Sequence, residues 1–204
     1  MHKTGSFFSN NPSIIFDQKR TRIGPLAIKS FKANLPLQNF YVLSPEPTKG
    51  CPNFGRQSSV LMIIKTISHN SSEYRQIIQL RIKALLEPIG VPAHYIVPEK
   101  EKDDLFIAAF AENKIIGGCV LTPKDTNLVQ LRQMAVHPDW QGKKIGAAIV
   151  RYAEETAREK GFGTLMLHAR NPVIDFYRKC GYEVVSDEIF EVGIGHHKMQ
   201  KQLP

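Results

Sequence analysis

The stretch Leu131–Val150, LRQMAVHPDWQGKKIGAAIV, constrains the fold more than any other part of this 204-residue chain. A strand runs into a polar turn, and the turn opens a long helix. The first backbone N–H groups of a helix have no partner within it and sit at the positive end of its dipole. Gly142, Gly146, Ala147 and Ala148 are small enough to let a phosphate approach those amides, and Lys143 and Lys144 add positive charge beside them. Gln141–Ala148 therefore reads as a cradle for a diphosphate, although plain close packing also explains its small residues. Two other phosphate-binding patterns are missing: there is no G-x-x-x-x-G-K-[ST], and no G-x-G-x-x-G follows a first strand.

Regular patterning begins at Met62. Met62–Ile67 reads as a strand and Ser72–Leu86 as an amphipathic helix, capped by Asn70 or Ser71, with Tyr74, Ile77, Ile78, Ile82 and Leu85 on one face. Pro88 and Gly90 stop it. After a polar loop to Lys102, strands are predicted at Leu105–Ala111, Ile115–Thr122 and Leu128–Val136. A second helix covers Ile145–Lys160, followed by a strand at Thr164–Ala169, a short helix at Pro172–Lys179, and strands at Tyr182–Ser186 and Gly195–Lys201. This order predicts a mixed α/β domain over residues 62–204.

Residues 1–61 differ in character. Six prolines interrupt them and no periodicity is sustained, so they are expected to be a mostly disordered extension. Met62 as the natural start, a tail or arm, and a targeting segment are all open readings of this leader. The net charge of +8 belongs largely to it: eight Lys and Arg stand against Asp17 and Glu46 there, leaving +2 for the remainder. Without a basic stripe interleaved with aromatics in the domain, nucleic acid is not an expected partner. No apolar run approaches the roughly 18–20 residues of a membrane span. Cys51, Cys119 and Cys180 are too few and too scattered for a disulfide framework or a zinc site, which suits a reducing, cytoplasmic setting and no metal.

Three motifs in order carry a resemblance. QMAVHPDWQGKKIGAAIV resembles the acetyl-CoA signature [QR]-x-x-G-x-[GA] of the GCN5-related N-acetyltransferase (GNAT) superfamily, with Gln141 and Gly146 at its ends and Lys144 in place of the internal glycine. HARNPVIDFYRKCGYEVV is similar to the family's F-Y-x-K-x-G-[FY] segment. FEVGIGHHKMQK is similar to the tail of a small bacterial, ElaA-like branch, with Gly195 replacing a proline. The resemblance covers Met62–Leu203. It implies a mostly antiparallel central sheet flanked by helices, with acetyl-CoA as cosubstrate and an amine as acceptor.

By position, the resemblance implies that pantetheine meets the main chain of Met134, Ala135 and Val136. The pyrophosphate would meet Gln141, Gly142, Lys143, Lys144, Ile145, Gly146 and Ala147. Arg170 stands where the family often has a cofactor-binding asparagine, with Asn171 one residue later. Arg170 could reach a phosphate or a substrate carboxylate. Tyr177 matches the family tyrosine that protonates the departing sulfur and borders the cofactor. For the base, His196, Glu191 and His168 are candidates, since an imidazole can take a proton from an ammonium near neutral pH. His137 reads as structural and His94 as a loop residue. Cys180 is not expected to carry the acetyl group, because nothing in the sequence points to an activated thiol. Arg81 would lie on the acceptor side or pair at the surface.

The leading expectation is acetyl transfer from acetyl-CoA to an amine of a small molecule or protein, with a homodimer possible. A non-catalytic acyl-CoA sensor is a second reading, and an interaction module recruiting an acidic partner through the basic leader is a third. The acceptor pocket would be built from loops such as Gly90–Lys102.

Overall fold

The computed structural model of the protein describes residues 29–32, 38–43 and 60–204. Nine strands form one sheet: β1 (Lys29–Lys32), β2 (Gln38–Leu43), β3 (Val60–Ile67), β4 (Leu105–Ala111), β5 (Lys114–Pro123), β6 (Leu128–Val136), β7 (Thr164–Arg170), β8 (Glu183–Glu191) and β9 (Ile194–Gln202). Their order is β1-β2-β3-β4-β5-β6-β7-β9-β8. Every neighbouring pair is antiparallel except β6 and β7. The helices are α1 (Ser72–Arg81), α2 (Ile145–Glu159) and α3 (Ile174–Lys179).

The alternation of β4 places a helix on each face of the sheet. Phe106 and Ala108 pack with Tyr74, Ile77 and Leu80 of α1. Ile107, Ala109 and Ala111 pack with Ile145, Ile149 and Tyr152 of α2 on the opposite side. Gly118 of β5 lets α1 approach closely: a Cβ there would press on the Ile107 carbonyl and lie 2.5 Å from Ile77 Cδ1.

Strands β1 and β2 fall inside the leader, where the sequence shows no sustained periodicity. Phe40-Tyr41-Val42-Leu43 are good strand formers, and pairing with β3 satisfies backbone groups that would otherwise form an open sheet edge. Tyr41 is buried in the main core. Residue 62 lies within β3, so the pattern break at Met62 is not a break in structure. The other leader residues, including Cys51, lie outside the described residues.

The first helix also departs from a simple reading. It is α-helical only to Arg81, and a wider π-helical turn follows over Ile82–Leu86. The wider turn carries Leu86 back toward the buried face of Ile77 and Arg81, where straight α-helical continuation would rotate it away. Glu87–Ile89 tighten into a single turn containing Pro88, and Gly90 ends it at φ +69°. No helix among the described residues is long and apolar enough to cross a membrane.

Candidate active site

The site begins with an irregularity in β6. Opposite the step from Gly118 to Val120 on β5, β6 runs from Ala135 to Arg132 and so carries one residue too many. The bulge centres on Gln133, at φ +50°. It reverses the faces of the strand: Val129 and Leu131 belong to the α2 side, whereas Ala135 beyond the bulge belongs to the α1 side. Met134 and Val136 consequently pack toward α2.

Pairing between β6 and β7 stops at Leu131 and Leu167, although both strands continue. His137 N–H donates to the Ile116 carbonyl at 2.8 Å, so by alternation the backbone groups of Val136 and Met134 face away from β5, toward the gap. A cavity of about 660 Å³ opens there, with Gln133, Met134 and Val136 on one wall. Of the three residues implied to meet pantetheine, Met134 and Val136 line this gap, whereas Ala135 is packed on the α1 side and paired with Gly118 of β5.

The turn after β6 fits an anion. Gly142 and Lys144 both hold left-handed backbone conformations, at φ +74° and +59°. No side chain caps α2, so none occupies the first amides of the helix, those of Ile145, Gly146 and Ala147. The Gln141 side chain donates to the Val136 carbonyl at 3.1 Å, tying the turn to the strand end. Lys143 Nζ stands 4.9 Å from the centre of the Trp140 ring. At Gly146 a Cβ would lie 3.0 Å from Met134 Cε and 3.3 Å from Phe176 Cζ, so the helix start packs at contact distance against strand and α3.

Lys144 occupies the place of the missing glycine and adopts a glycine-favoured conformation, at a cost of roughly 1 kcal/mol for a side chain with a Cβ. Lys144→Gly is expected to gain about 0.5–1 kcal/mol in chemical denaturation. An unchanged or lower midpoint at constant slope would contradict the strain at this position.

Several predicted catalytic residues converge on the cavity. Tyr177, on α3, is buried, and its hydroxyl donates to Met134 Sδ at 3.5 Å. Burial pushes its phenol well above the ordinary value, with smaller contributions from Cys119 and Cys180. His196 is also buried, and its Nδ1 lies 2.8 Å from the Ile194 carbonyl. A carbonyl can only accept, so Nδ1 carries the proton and Nε2 of the neutral ring keeps its lone pair. His168 Nδ1 meets Glu191 Oε1 at 2.5 Å, which assigns the same tautomer to the second imidazole. Both members of that pair line the cavity, as does Arg170, whose Nη2 donates to the Leu85 carbonyl at 3.3 Å.

The remaining candidates are placed differently, and of them only Arg81 lines the cavity. Asn171 is exposed, and its amide spans Glu188 and His197 away from the cavity lining. Arg81 is no surface residue: it is 1% exposed and forms a two-pronged ion pair with Glu101, itself 3% exposed. Cys180 has its thiol pushed up, chiefly by burial, which leaves the neutral form dominant.

Residues that the sequence does not mark as site residues complete the lining. Gln133 and Arg132 are on β6, Leu85 and Leu86 on the widened turn, and Val173 before α3. Of the loop expected to shape the acceptor side, Val91, Tyr95 and Ile96 reach the cavity. The apolar character of these loop residues was the available signal, but their placement depends on where Glu101 anchors.

A family model described as "Acetyltransferase (GNAT) family" matches residues 74–182, more than half of the chain. YjcF of Bacillus subtilis, an uncharacterised N-acetyltransferase, is 26% identical over 136 residues, covering 66% of this chain and 96% of that protein. The structure of Escherichia coli ElaA matches with a TM-score of 0.60 at 18% identity, over 69% of this chain and 99% of ElaA. A GNAT family acetyltransferase from Elizabethkingia anophelis with acetyl-CoA bound matches at 0.55 and 19% identity, over 70% of this chain and 98% of that one. At these identities the two structures speak for the fold alone.

Proposed function

Because the chain belongs to the acetyltransferase (GNAT) family, we propose that it transfers an acetyl group from acetyl-CoA directly to an amine, across the cavity between β6 and β7. The observation that carries this reading is the end of β6–β7 pairing at Leu131 and Leu167, with Tyr177 and His196 on the walls of the opening. The backbone of Met134 and Val136 would hold the pantetheine arm, with Ala135 between them turned to β5, and the uncapped start of α2 would hold the pyrophosphate.

Acetyl-CoA supplies an acetyl thioester and a sulfur leaving group. An amine attacks only with its lone pair free, so a proton must leave it. Nε2 of His196 can accept that proton, directly or through water, while the Ile194 carbonyl holds the ring in the required tautomer. His168, oriented by Glu191, offers a second lone pair on the same cavity. Tyr177 delivers a proton to the departing sulfur. Its present partner, the Met134 thioether, is a weak acceptor and releases the hydroxyl readily.

His196→Gln tests the base. It is expected to lower kcat by roughly tenfold at neutral pH, below the usual range for loss of a base because His168 remains. The residual activity should disappear in the double variant with His168→Gln. A double variant as active as wild type would rule out imidazole catalysis.

A further inference from the structure

The charges around the cavity restrict what it can accept. Among the described residues its lining contains three guanidinium groups, from Arg81, Arg132 and Arg170, against a single carboxylate, Glu191. Arg81 is neutralised from behind by Glu101, and Arg132 by Asp104. Glu191 is engaged by His168. Arg170 is left with only the Leu85 carbonyl as partner among the described residues, and one such bond uses one of its five donors. It is partly buried, where an unpaired charge is unfavourable.

A polycationic acceptor would place several ammonium groups beside these guanidiniums with one carboxylate to meet them. An acceptor with its own carboxylate would instead complete Arg170, whose planar fork matches a carboxylate in two-pronged geometry. Leu85, whose carbonyl Arg170 meets, lines the same cavity as the apolar side chains of Leu86, Ile89, Val91 and Ile96. Gln133 adds an independent observation: its Oε1 is buried at the bulge with no hydrogen-bond partner among the described residues. The oxygen has no accessible surface in this rotamer, so an N–H of a bound molecule would meet it only after the side chain turns toward the cavity.

We propose that the acceptor is an amine carrying a carboxylate on an apolar frame, an apolar α-amino acid or close analogue, with Arg170 receiving the carboxylate. This deepens the acetyl-transfer reading and rests on it. Arg170 is then a specificity-determining residue of the acceptor side rather than a holder of the cofactor phosphates.

The test pairs two amines that differ only in the carboxylate, L-leucine and isopentylamine, and their products, N-acetyl-L-leucine and N-isopentylacetamide. Transfer is followed by release of CoA thiol, with spermidine as the polycation, and product binding by calorimetry on the full chain. L-leucine is expected to exceed isopentylamine in kcat/KM by roughly 10- to 100-fold, and N-acetyl-L-leucine to bind tighter than its neutral counterpart by a similar factor. Arg170→Met should abolish both preferences with the KM for acetyl-CoA within about twofold of wild type, and Arg170→Lys should retain part of them. If the Met variant does not fold, the two product affinities in the wild-type protein decide. Equal affinities, or turnover of isopentylamine or spermidine with L-leucine inert, overturn the proposal while acetyl transfer stands. A carboxylate preference in product binding without transfer to any amine upholds the pocket assignment and overturns the transfer reading instead.

Discussion

Tyr177→Phe is expected to lower kcat by about 100-fold while the KM for acetyl-CoA stays within about twofold. The substitution removes one hydroxyl and leaves the ring, which packs edge-on against Phe176 and Tyr182 at centroid distances of 4.9 and 5.9 Å. Among the described residues the one hydrogen bond lost is the 3.5 Å contact to Met134 sulfur, so the fold should tolerate the change. The loss should therefore appear in the step that needs a proton at sulfur, and not in cofactor binding. The pH dependence has a definite sign. A tyrosine ordinarily ionises near 10.0, and burial raises Tyr177 above that value. Its contribution to stability is complete below pH 10 and is lost as pH rises through the raised value. The hydroxyl thus remains protonated throughout the neutral range, and wild-type kcat should show no alkaline limb from this group below about pH 10. A Phe variant with full kcat at every pH would remove Tyr177 from the mechanism.

Arg81→Met is expected to destabilise the protein by about 3–5 kcal/mol, because it strands the Glu101 carboxylate in the interior. Glu101 accepts from Arg81 Nη1 and Nη2 at 3.0 and 2.5 Å and from the Tyr74 hydroxyl at 2.9 Å. Arg132 stands 3.8 Å away and is itself paired with Asp104. These residues join α1, β6 and the end of the acceptor loop, so the loss should spread from stability to the cavity wall formed by Val91, Tyr95 and Ile96. Adding Glu101→Gln to Arg81→Met removes the stranded charge and should recover more than half of the loss in chemical denaturation. A single variant within about 0.5 kcal/mol of wild type would show that the pair is not what anchors the loop.

Much of the domain could be read from local pattern. Strands β4 and β6 have the ends that their apolar runs predict, and α2 starts at Ile145, where the glycine-rich turn ends. What escaped were features set by partners distant in sequence. The bulge at Gln133 depends on register against β5, and the same residues could alternate without it. The pairing of Arg81 with Glu101 joins positions twenty residues apart across a loop, so local pattern offers only a choice between acceptor contact and surface charge at Arg81. Phe40–Leu43 of β2 are good strand formers, but the surrounding prolines hid them until β3 offered an edge. Tyr177, His196, His168 and Glu191 were legible as chemistry-bearing types. The convergence of His168, Glu191 and His196 follows from the β7–β9–β8 order, which the strand sequence alone does not contain, and Tyr177 joins them from α3.

Acetyl transfer itself is tested most directly by incubating the full chain with acetyl-CoA and a panel of amines, measuring free CoA thiol and acetylated amine together. The expected result is equal molar release of CoA and formation of acetylated amine, well above the uncatalysed rate and dependent on Tyr177. Saturable binding of acetyl-CoA with no amine raising thiol release above background would contradict the account and identify the chain as an acyl-CoA sensor.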